Sequence, residues 1–274
     1  MTPEELREKI NRIKVPAVER LCDELSPFVA SISSREAFTT VAKHFGTGSF
    51  CHWKERVFLL SNAHVLGRKD LTLGVALKSG AEMHTLSGRV PQSEDADLAL
   101  MEIPPEAWEH GDRSAVAGAF FGPHRVQDGE FCFFMGFPKG TSFTSVAERA
   151  VRTRVLPYAG QKLPGLTDDW VFYIDVNFDR MRDAEGNPVE PFDFEGVSGS
   201  LVWDTGIVAC AVSGEEWRSQ IVRPVGVVRA WQEEFGRLEV VRAEHVADLL
   251  RRGIRMMDEE AATESSRPEG ACPP

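Results

Sequence analysis

The chain has 274 residues, enough for one or two compact units that bury a full hydrophobic core. It carries 42 acidic and 31 basic residues, which gives a formal net charge of −11 at pH 7. This charge argues against a general nucleic-acid binder, because neutralising phosphates requires clustered Lys and Arg side chains. No apolar run approaches transmembrane length, and residues 1–20 are charged and lack the apolar segment of a secretion signal.

The N-terminal segment, residues 1–25, is predicted to be helical. Thr2 is expected to be the N-cap, Pro3 fits the first helical position, and Glu5 completes a capping box. Pro16 is expected to break or restart the helix. An apolar stripe marks one face and consists of Leu6, Ile10, Ile13, Val18, Leu21 and Leu25. We expect this stripe to pack on the rest of the chain, with docking of a partner as the alternative.

Short strand-like runs follow in two groups. The first group covers residues 28–32, 38–42, 57–61, 71–77, 83–90 and 98–103. Residues 104–128 contain Pro-Pro and Gly-Pro punctuation and are interpreted as a crossover. The second group covers residues 129–138, 145–156, 170–178, 201–203, 207–212 and 222–228. Within the second group, the long polar stretch at 179–188 predicts an exposed, mobile loop.

The C-terminal part is predicted to contain one helix and a tail. Residues 241–257 carry a helical apolar stripe that includes Val246, Leu250 and Ile254. Residues 258–274 are rich in Glu, Ser, Pro and Gly and hold few core-forming side chains, which predicts a disordered tail.

One serine lies in a context that suggests chemistry. Gly-Val-Ser-Gly at 196–199 places Ser198 between two glycines, directly before an apolar strand. Glycine permits a sharp turn and a close approach of the backbone to a ligand. A serine on such a turn can present its hydroxyl beside backbone N–H groups, which is what acyl transfer needs. Taken alone, the pattern is more often an ordinary loop before a strand.

Two further stretches supply the partners that a serine nucleophile requires. His64 lies in the motif Ser-Asn-Ala-His-Val at 61–65, at the end of an apolar run. Asp97 begins the motif Asp-Leu-Ala-Leu at 97–100 and directly precedes a second apolar run. An imidazole titrates near neutrality, so His64 can accept the serine proton and return it to a leaving amine. Asp97 would hold the imidazole tautomer, with Asp95 as the competing carboxylate.

These motifs, preceded by Gly-Thr-Gly-Ser at 46–49, resemble those of the chymotrypsin/trypsin superfamily of serine proteases. The chain looks closest to the bacterial trypsin-like, Deg-type-related branch, and the order His, Asp, Ser is the chymotrypsin order. The resemblance implies an all-β fold of two six-stranded antiparallel β-barrels, at 26–115 and 116–240, with N-terminal and C-terminal helices. It also implies a serine endopeptidase that uses no cofactor and no metal.

The same resemblance assigns further site residues. The oxyanion hole would consist of the backbone N–H groups of Gly196 and Ser198. A glycine at 196 fits this role, because the peptide must approach the substrate carbonyl closely. Ser213 and Gly214 follow the predicted strand 207–212 and resemble the segment that pairs with the substrate backbone. They are therefore expected to bind substrate.

The specificity pocket has conflicting indications. Phe192 lies six residues before Ser198, where trypsins have an aspartate, and it favours an apolar or small substrate-binding pocket. Glu215 and Glu216 lie near the expected pocket wall and favour a basic substrate side chain instead. Both interpretations stay open at this point.

Activation is expected to differ from that of digestive proteases. Val197 stands where those enzymes have an aspartate that binds a newly formed N-terminus, and the matching N-terminal sequence is also missing. We therefore expect the isolated chain to be latent until a protein partner or oligomerisation orders residues 196–198.

Parts of the sequence are compatible with two other functions. A catalytically inactive trypsin-like pseudoprotease could serve as a protein-binding module, because a closed oxyanion loop would not be visible in the sequence. Asp-Thr-Gly at 204–206 matches the loop of retroviral-type aspartic proteases, but two such loops must share one proton. The same tripeptide is typical of a hairpin turn. The expected partners are a protein or peptide substrate and an activating protein, without nucleic acid or membrane.

Cysteine usage indicates a reducing compartment. The chain has an odd number of cysteines and no Cys-x-x-Cys: Cys22, Cys51, Cys132, Cys210 and Cys272. Many secreted trypsin-like enzymes have a disulfide cysteine after the catalytic histidine, and that position is Val65 here. Reduced thiols and a cytoplasmic location are therefore expected.

Overall fold

A computed structural model of the chain describes residues 1–36, 42–78, 83–145, 150–181, 187–189 and 192–265. The helices are α1 (Pro3–Leu25), α2 (Ala63–Leu66), α3 (Pro105–Glu109), α4 (Ile207–Ser213) and α5 (Ala243–Ser265). The strands are β1 (Val29–Glu36), β2 (Lys43–Trp53), β3 (Arg56–Ser61), β4 (Leu71–Val75), β5 (His84–Thr85), β6 (Gln92–Ser93), β7 (Leu98–Ile103), β8 (Val116–Ala117), β9 (Phe131–Gly136), β10 (Phe143–Ser145), β11 (Ala150–Arg152), β12 (Leu156–Thr167), β13 (Val171–Asp175), β14 (Leu201–Asp204), β15 (Arg223–Gln232) and β16 (Arg237–Arg242).

Helix α1 is one continuous helix. Its predicted capping box is confirmed, since Glu5 N donates to Thr2 Oγ1 at 3.2 Å and Thr2 N donates to Glu5 Oε2 at 2.6 Å. The predicted break at Pro16 was wrong, because the helix runs through that residue. Burial of the last two turns, through side chains such as Leu21 and Leu25, offsets the hydrogen bond that proline cannot donate.

The first β unit is an open, curved sheet of eight strands. Its order is β5-β4-β1-β2-β3-β7-β6, with β8 pairing in parallel to β2. The expected closed six-stranded barrel is therefore only partly formed here. A core under the sheet includes Ile32, Phe50, Leu59 and Leu73. Of the predicted strand 38–42, residues 38–41 lie outside the described part of the chain.

The second β unit is a closed barrel of six strands, in the order β12-β13-β16-β15-β14-β9. Its interior is filled by large apolar side chains, among them Phe134, Phe172, Val202 and Val240. This confirms the predicted two-unit, mainly β architecture. The long strand predicted at 145–156 lies later in the chain, as β12 at Leu156–Thr167. Strand β16 was not predicted, because residues 241–242 were assigned to the C-terminal helix.

Residues 207–212 form helix α4, so the predicted strand there was wrong. A short apolar run is compatible with a buried strand or a buried helix, and tertiary contacts decide between them. The buried carboxylate of Glu130 accepts the N–H groups of Val208 and Ala209 at 2.9 and 3.0 Å. These N–H groups lie in the first turn, where a negative charge stabilises a helix.

Helix α5 extends further than predicted. It ends at Ser265 instead of 257, so residues 258–265 are helical and not part of a tail. Asp258 pairs with Arg56 at 2.8 Å and ties this extension to the first sheet. Residues 266–274 lie outside the described part of the chain.

The thiols in the described residues are free, as predicted. They belong to Cys22, Cys51, Cys132 and Cys210. Burial raises the pKa of the Cys51 thiol to about 12, which makes it a weak nucleophile at neutral pH. Among the described helices, none combines the length and the apolar character needed to cross a membrane.

Candidate active site

The structure brings His64 and Asp97 into direct contact. His64 lies in the short helix α2, directly after β3, and Asp97 immediately precedes β7, which pairs with β3. The Nδ1–H of His64 donates to Asp97 Oδ2 at 2.7 Å, and its backbone N–H donates to Asp97 Oδ1 at 3.1 Å. The carboxylate therefore fixes the tautomer in which Nε2 carries a lone pair.

Asp97 is held in an uncommon backbone conformation. Its φ of 49° lies in the left-handed region, which aspartate tolerates better than most residues. The Asp97 carbonyl accepts two hydrogen bonds, from Ala63 N at 3.1 Å and from Asn62 Nδ2 at 2.8 Å. The competing Asp95 is exposed and its carboxylate makes no contact with His64 in the described structure. Asp97 is thus the carboxylate that orients this histidine.

Ser198 lies on a turn that only glycine can flank. Gly196 and Gly199 have φ values of 97° and 93°. A Cβ at Gly199 would lie 2.1 Å from the carbonyl oxygen of Thr47, so any side chain would clash with backbone. The Ser198 hydroxyl donates to the carbonyl of Arg229 at 3.2 Å. The turn thus holds the hydroxyl at the surface of the second barrel.

The Ser198 turn lies beside the end of β3. Thr47 N donates to the carbonyl of Ser198 at 3.2 Å, and Ser61 Oγ donates to the carbonyl of Thr47 at 2.6 Å. Ser61 precedes His64 by three residues. His64 Nε2 has no hydrogen-bond partner among the described residues. The serine turn of the second β unit therefore lies against the end of the strand that leads to His64.

The backbone around Gly196 is anchored with its N–H groups left available. The carbonyl of Glu195 accepts Lys139 N at 2.7 Å, and the carbonyl of Gly196 accepts Thr47 Oγ1 at 2.8 Å. Because a trans peptide directs its C=O and N–H in opposite directions, anchoring the Glu195 carbonyl fixes the direction of Gly196 N–H. Within the described structure, neither Gly196 N–H nor Ser198 N–H has a protein partner.

His44, which lies in strand β2, supports this loop. It is buried and connects the two β units: Ser31 Oγ donates to its Nδ1 at 3.0 Å, and its Nε2–H donates to the Phe137 carbonyl at 2.6 Å. Desolvation by burial lowers the pKa of His44 below its usual 6.5, and contacts to backbone oxygens of Phe137 and Gly196 partly oppose this shift. No local sequence pattern marks such a residue.

The predicted substrate-binding residues are separated by the structure. Phe192 precedes the Ser198 turn in the chain and packs against Phe194, with ring centroids 4.8 Å apart. Ser213 and Gly214 are at the end of helix α4, where Gly214 faces Lys9 of α1. They do not follow a strand, so the premise of their assignment was wrong. The strand that reaches Ser198 is β15.

The Asp-Thr-Gly loop has a structural role. Asp204 accepts Gly206 N at 3.0 Å and His124 Nε2–H at 2.7 Å, so its carboxylate is engaged on both sides. The loop joins strand β14 to helix α4 and is not the predicted hairpin turn. These contacts leave no free carboxylate for an aspartic-protease dyad.

Comparisons with known proteins give structural but no sequence matches. No family model and no curated protein sequence matches the chain. The crystal structure of the Rv3671c protease from M. tuberculosis in its active form is 19% identical, with a TM-score of 0.50, and the match covers 87% of this chain and 84% of that chain. The serine protease domain of the Sesbania mosaic virus polyprotein is 14% identical, with a TM-score of 0.47, and 81% of this chain and 91% of that chain are covered. The chain therefore has the two-barrel fold of the chymotrypsin-like serine proteases.

Proposed function

We propose that this protein is a serine endopeptidase that cleaves protein substrates through His64, Asp97 and Ser198. The observation that carries the proposal is the oriented imidazole. Its Nδ1–H is bound to Asp97 at 2.7 Å, and its Nε2 has no hydrogen-bond partner among the described residues. The Ser198 turn bonds to Thr47, which in turn accepts a hydrogen bond from Ser61, three residues before His64. A free, correctly oriented imidazole nitrogen is what converts a serine hydroxyl into a nucleophile.

The reaction proceeds in two acyl-transfer steps. His64 Nε2 takes the proton of Ser198 while Oγ forms a bond to the substrate carbonyl carbon, and Asp97 stabilises the resulting imidazolium. The N–H groups of Gly196 and Ser198 donate to the oxyanion. The imidazolium then gives its proton to the leaving amine as the C–N bond breaks. Water, activated by the same imidazole, hydrolyses the acyl-enzyme and restores the Ser198 hydroxyl.

One observation favours the alternative, a catalytically inactive protein-binding module. The Ser198 hydroxyl donates to the Arg229 carbonyl, not to His64 Nε2. A rotation about the Cα–Cβ bond of Ser198 redirects the hydroxyl, and catalytic hydrogen bonds are often loose before substrate binds. We therefore place the peptidase first.

Labelling with a fluorophosphonate separates the two functions. We expect wild-type protein to gain the mass of one phosphonyl group, because the oxyanion site and His64 activate Ser198 toward an acyl-like phosphorus. Ser198→Ala should abolish labelling, and Ser114→Ala, which removes an exposed serine elsewhere, should not. Failure of the wild-type protein to react, or labelling that survives in Ser198→Ala, would refute the peptidase.

The same assay addresses activation. Latency until a protein partner or an oligomer orders residues 196–198 stays a prediction, as do the cytoplasmic location and the kinship with Deg-type enzymes. Residues 182–186 of the loop that was predicted to be mobile lie outside the described chain. The anchors from Thr47 and Lys139 favour a loop that is ordered without a partner. Rapid labelling of the isolated monomer would contradict latency.

A further inference from the structure

The end of strand β15 offers an unpaired edge beside Ser198. Up to Val227, β15 pairs with β14 on one side and β16 on the other. From Ala230 to Gln232 it pairs only with β16 among the described residues. Next to this stretch, the Ser198 hydroxyl donates a hydrogen bond to the Arg229 carbonyl. An extended peptide can add to such an edge as a further strand. This is the segment on which the proposed peptidase would hold its substrate.

The reacting atoms then fix where one substrate side chain must lie. We call the residue whose carbonyl is attacked the acyl residue. With its carbonyl carbon at Ser198 Oγ, its oxygen points toward Gly196 N–H and its leaving nitrogen toward His64. The remaining substituent, the Cα with its side chain, is left on the side of residues 230–232. The side chain therefore enters the space between these residues and the segment 192–196.

That space is filled by the protein's own rings. Phe178, Phe192, Phe194 and Trp231 form a continuous aromatic cluster, which we call the aromatic plug. The ring centroids are 4.8 Å apart for Phe192–Phe194, 5.2 Å for Phe194–Trp231 and 5.6 Å for Phe178–Phe192. Trp231 lies opposite the fully buried Leu238 in the β15–β16 ladder, so its side chain is on the barrel side of the strand.

We propose that the aromatic plug restricts the acyl residue to Gly, Ala or Ser. The inference rests on the proposed peptidase function and adds its substrate class. A larger side chain would have to displace packed rings, and Phe194 is only 1% exposed, so little free volume remains.

The nearby carboxylates do not supply a site for a basic side chain. Glu239 is buried but forms an ion pair with Arg229 and accepts Gln232 Nε2 at 2.7 Å. Asp193 Oδ1 accepts the backbone N–H of Glu195 at 2.7 Å. An occupied carboxylate offers less to a Lys or Arg of the substrate, and the plug offers only apolar ring surface.

Two acidic side chains after helix α4 favoured a basic substrate side chain. Glu215 and Glu216 are exposed after the end of α4, and Glu216 pairs with Arg218 at 3.0 Å. Helix α4 packs on α1, and in the described structure neither carboxylate bonds to the Ser198 turn or to the plug. The apolar indication from Phe192 is the one that the geometry supports.

The test compares peptidyl phosphonates that differ only in the acyl residue. Diphenyl phosphonates of Ala, Leu, Phe and Lys, with one common peptide extension, would react with the full chain, and intact-mass spectrometry would measure the labelling rates. We expect the Ala reagent to react at least tenfold faster than the other three. In Trp231→Ala and Phe192→Ala the Phe reagent should gain at least tenfold relative to the Ala reagent, the scale typical of apolar pocket changes.

Controls separate this inference from the proposed function. Trp170→Ala removes a half-exposed tryptophan that stacks on His245 outside the plug, and it should keep the wild-type preference. Fastest labelling by the Phe, Leu or Lys reagent, or no change of preference in either plug variant that keeps its native circular dichroism, would overturn the small-residue inference and leave the peptidase standing. Absence of labelling by all four reagents and by the simple fluorophosphonate would overturn both.

Discussion

Replacing Thr47 by valine tests whether a side chain of the first β unit positions the proposed oxyanion loop of the second. The Thr47 hydroxyl is fully buried, accepts Phe137 N at 2.9 Å and donates to the Gly196 carbonyl at 2.8 Å. Valine has nearly the same shape but no hydroxyl, so Thr47→Val removes both hydrogen bonds without opening a cavity. The part-buried Phe137 N–H and Gly196 carbonyl then both lose the hydroxyl as a partner.

The magnitude follows from these two orphaned groups. An unpaired buried polar group costs roughly 1–3 kcal/mol. Because the loop can relax and water can enter from the cleft, we expect a net loss of stability of about 2–4 kcal/mol. For a chain of this size that corresponds to a fall in Tm of about 5–15 °C. A full loss of one oxyanion donor costs roughly 100- to 1,000-fold in kcat, so a partial displacement of Gly196 should cost about 10- to 100-fold.

The assay measures kcat and KM on a small-residue peptide ester, at a temperature where every variant is folded. We expect Thr47→Val to lower kcat while KM changes little, because the oxyanion contact forms in the transition state. Thr47→Ser keeps the hydroxyl and should retain most activity. Thr205→Val is the matched control, since Thr205 is equally buried and donates to the Phe131 carbonyl at 2.8 Å, away from Gly196.

Two outcomes would refute this reasoning. A folded Thr47→Val enzyme with wild-type kcat would show that the hydroxyl does not position the loop. An equal loss of kcat in Thr205→Val would show that general destabilisation, not loop geometry, lowers the activity.

Two further predictions concern buried titratable groups. Burial lowers the pKa of His44 below 6.5, so the unfolded chain binds its proton more readily, and stability should fall as the pH drops below about 6.5. Thermal melts should therefore show a smaller loss of Tm between pH 7.5 and pH 5.5 for His44→Gln than for the wild type. The same loss of Tm in both proteins would contradict the assignment to His44. The buried thiols of Cys51 and Cys132 have raised pKa values and should resist iodoacetamide at pH 8 until denaturant is added. Because the described cysteines are free, reductant should leave Tm unchanged. A fall in Tm of several degrees with reductant would indicate a stabilising disulfide.

Much of the candidate site could be predicted from short stretches of the sequence. His64, Asp97 and Ser198 stand in short motifs whose residue types fit the proposed chemistry. The two glycines near Ser198 are required by backbone geometry. The capping box of α1 is equally local, because all its contacts span three residues. Such features can be read from the chain since they depend on neighbours in the sequence.

Tertiary structure decided what depends on distant neighbours. Residues 207–212 fit a strand or a helix, and the buried carboxylate of Glu130, far away in sequence, made them a helix. Thr47 and His44 support the proposed oxyanion loop through partners 149 and 93 residues away, which no periodicity marks. The aromatic plug likewise joins residues from 178 to 231. Their individual side chains are ordinary apolar residues in the sequence. Only packing of the closed barrel brings their rings together, because burial favours apolar contact regardless of chain separation.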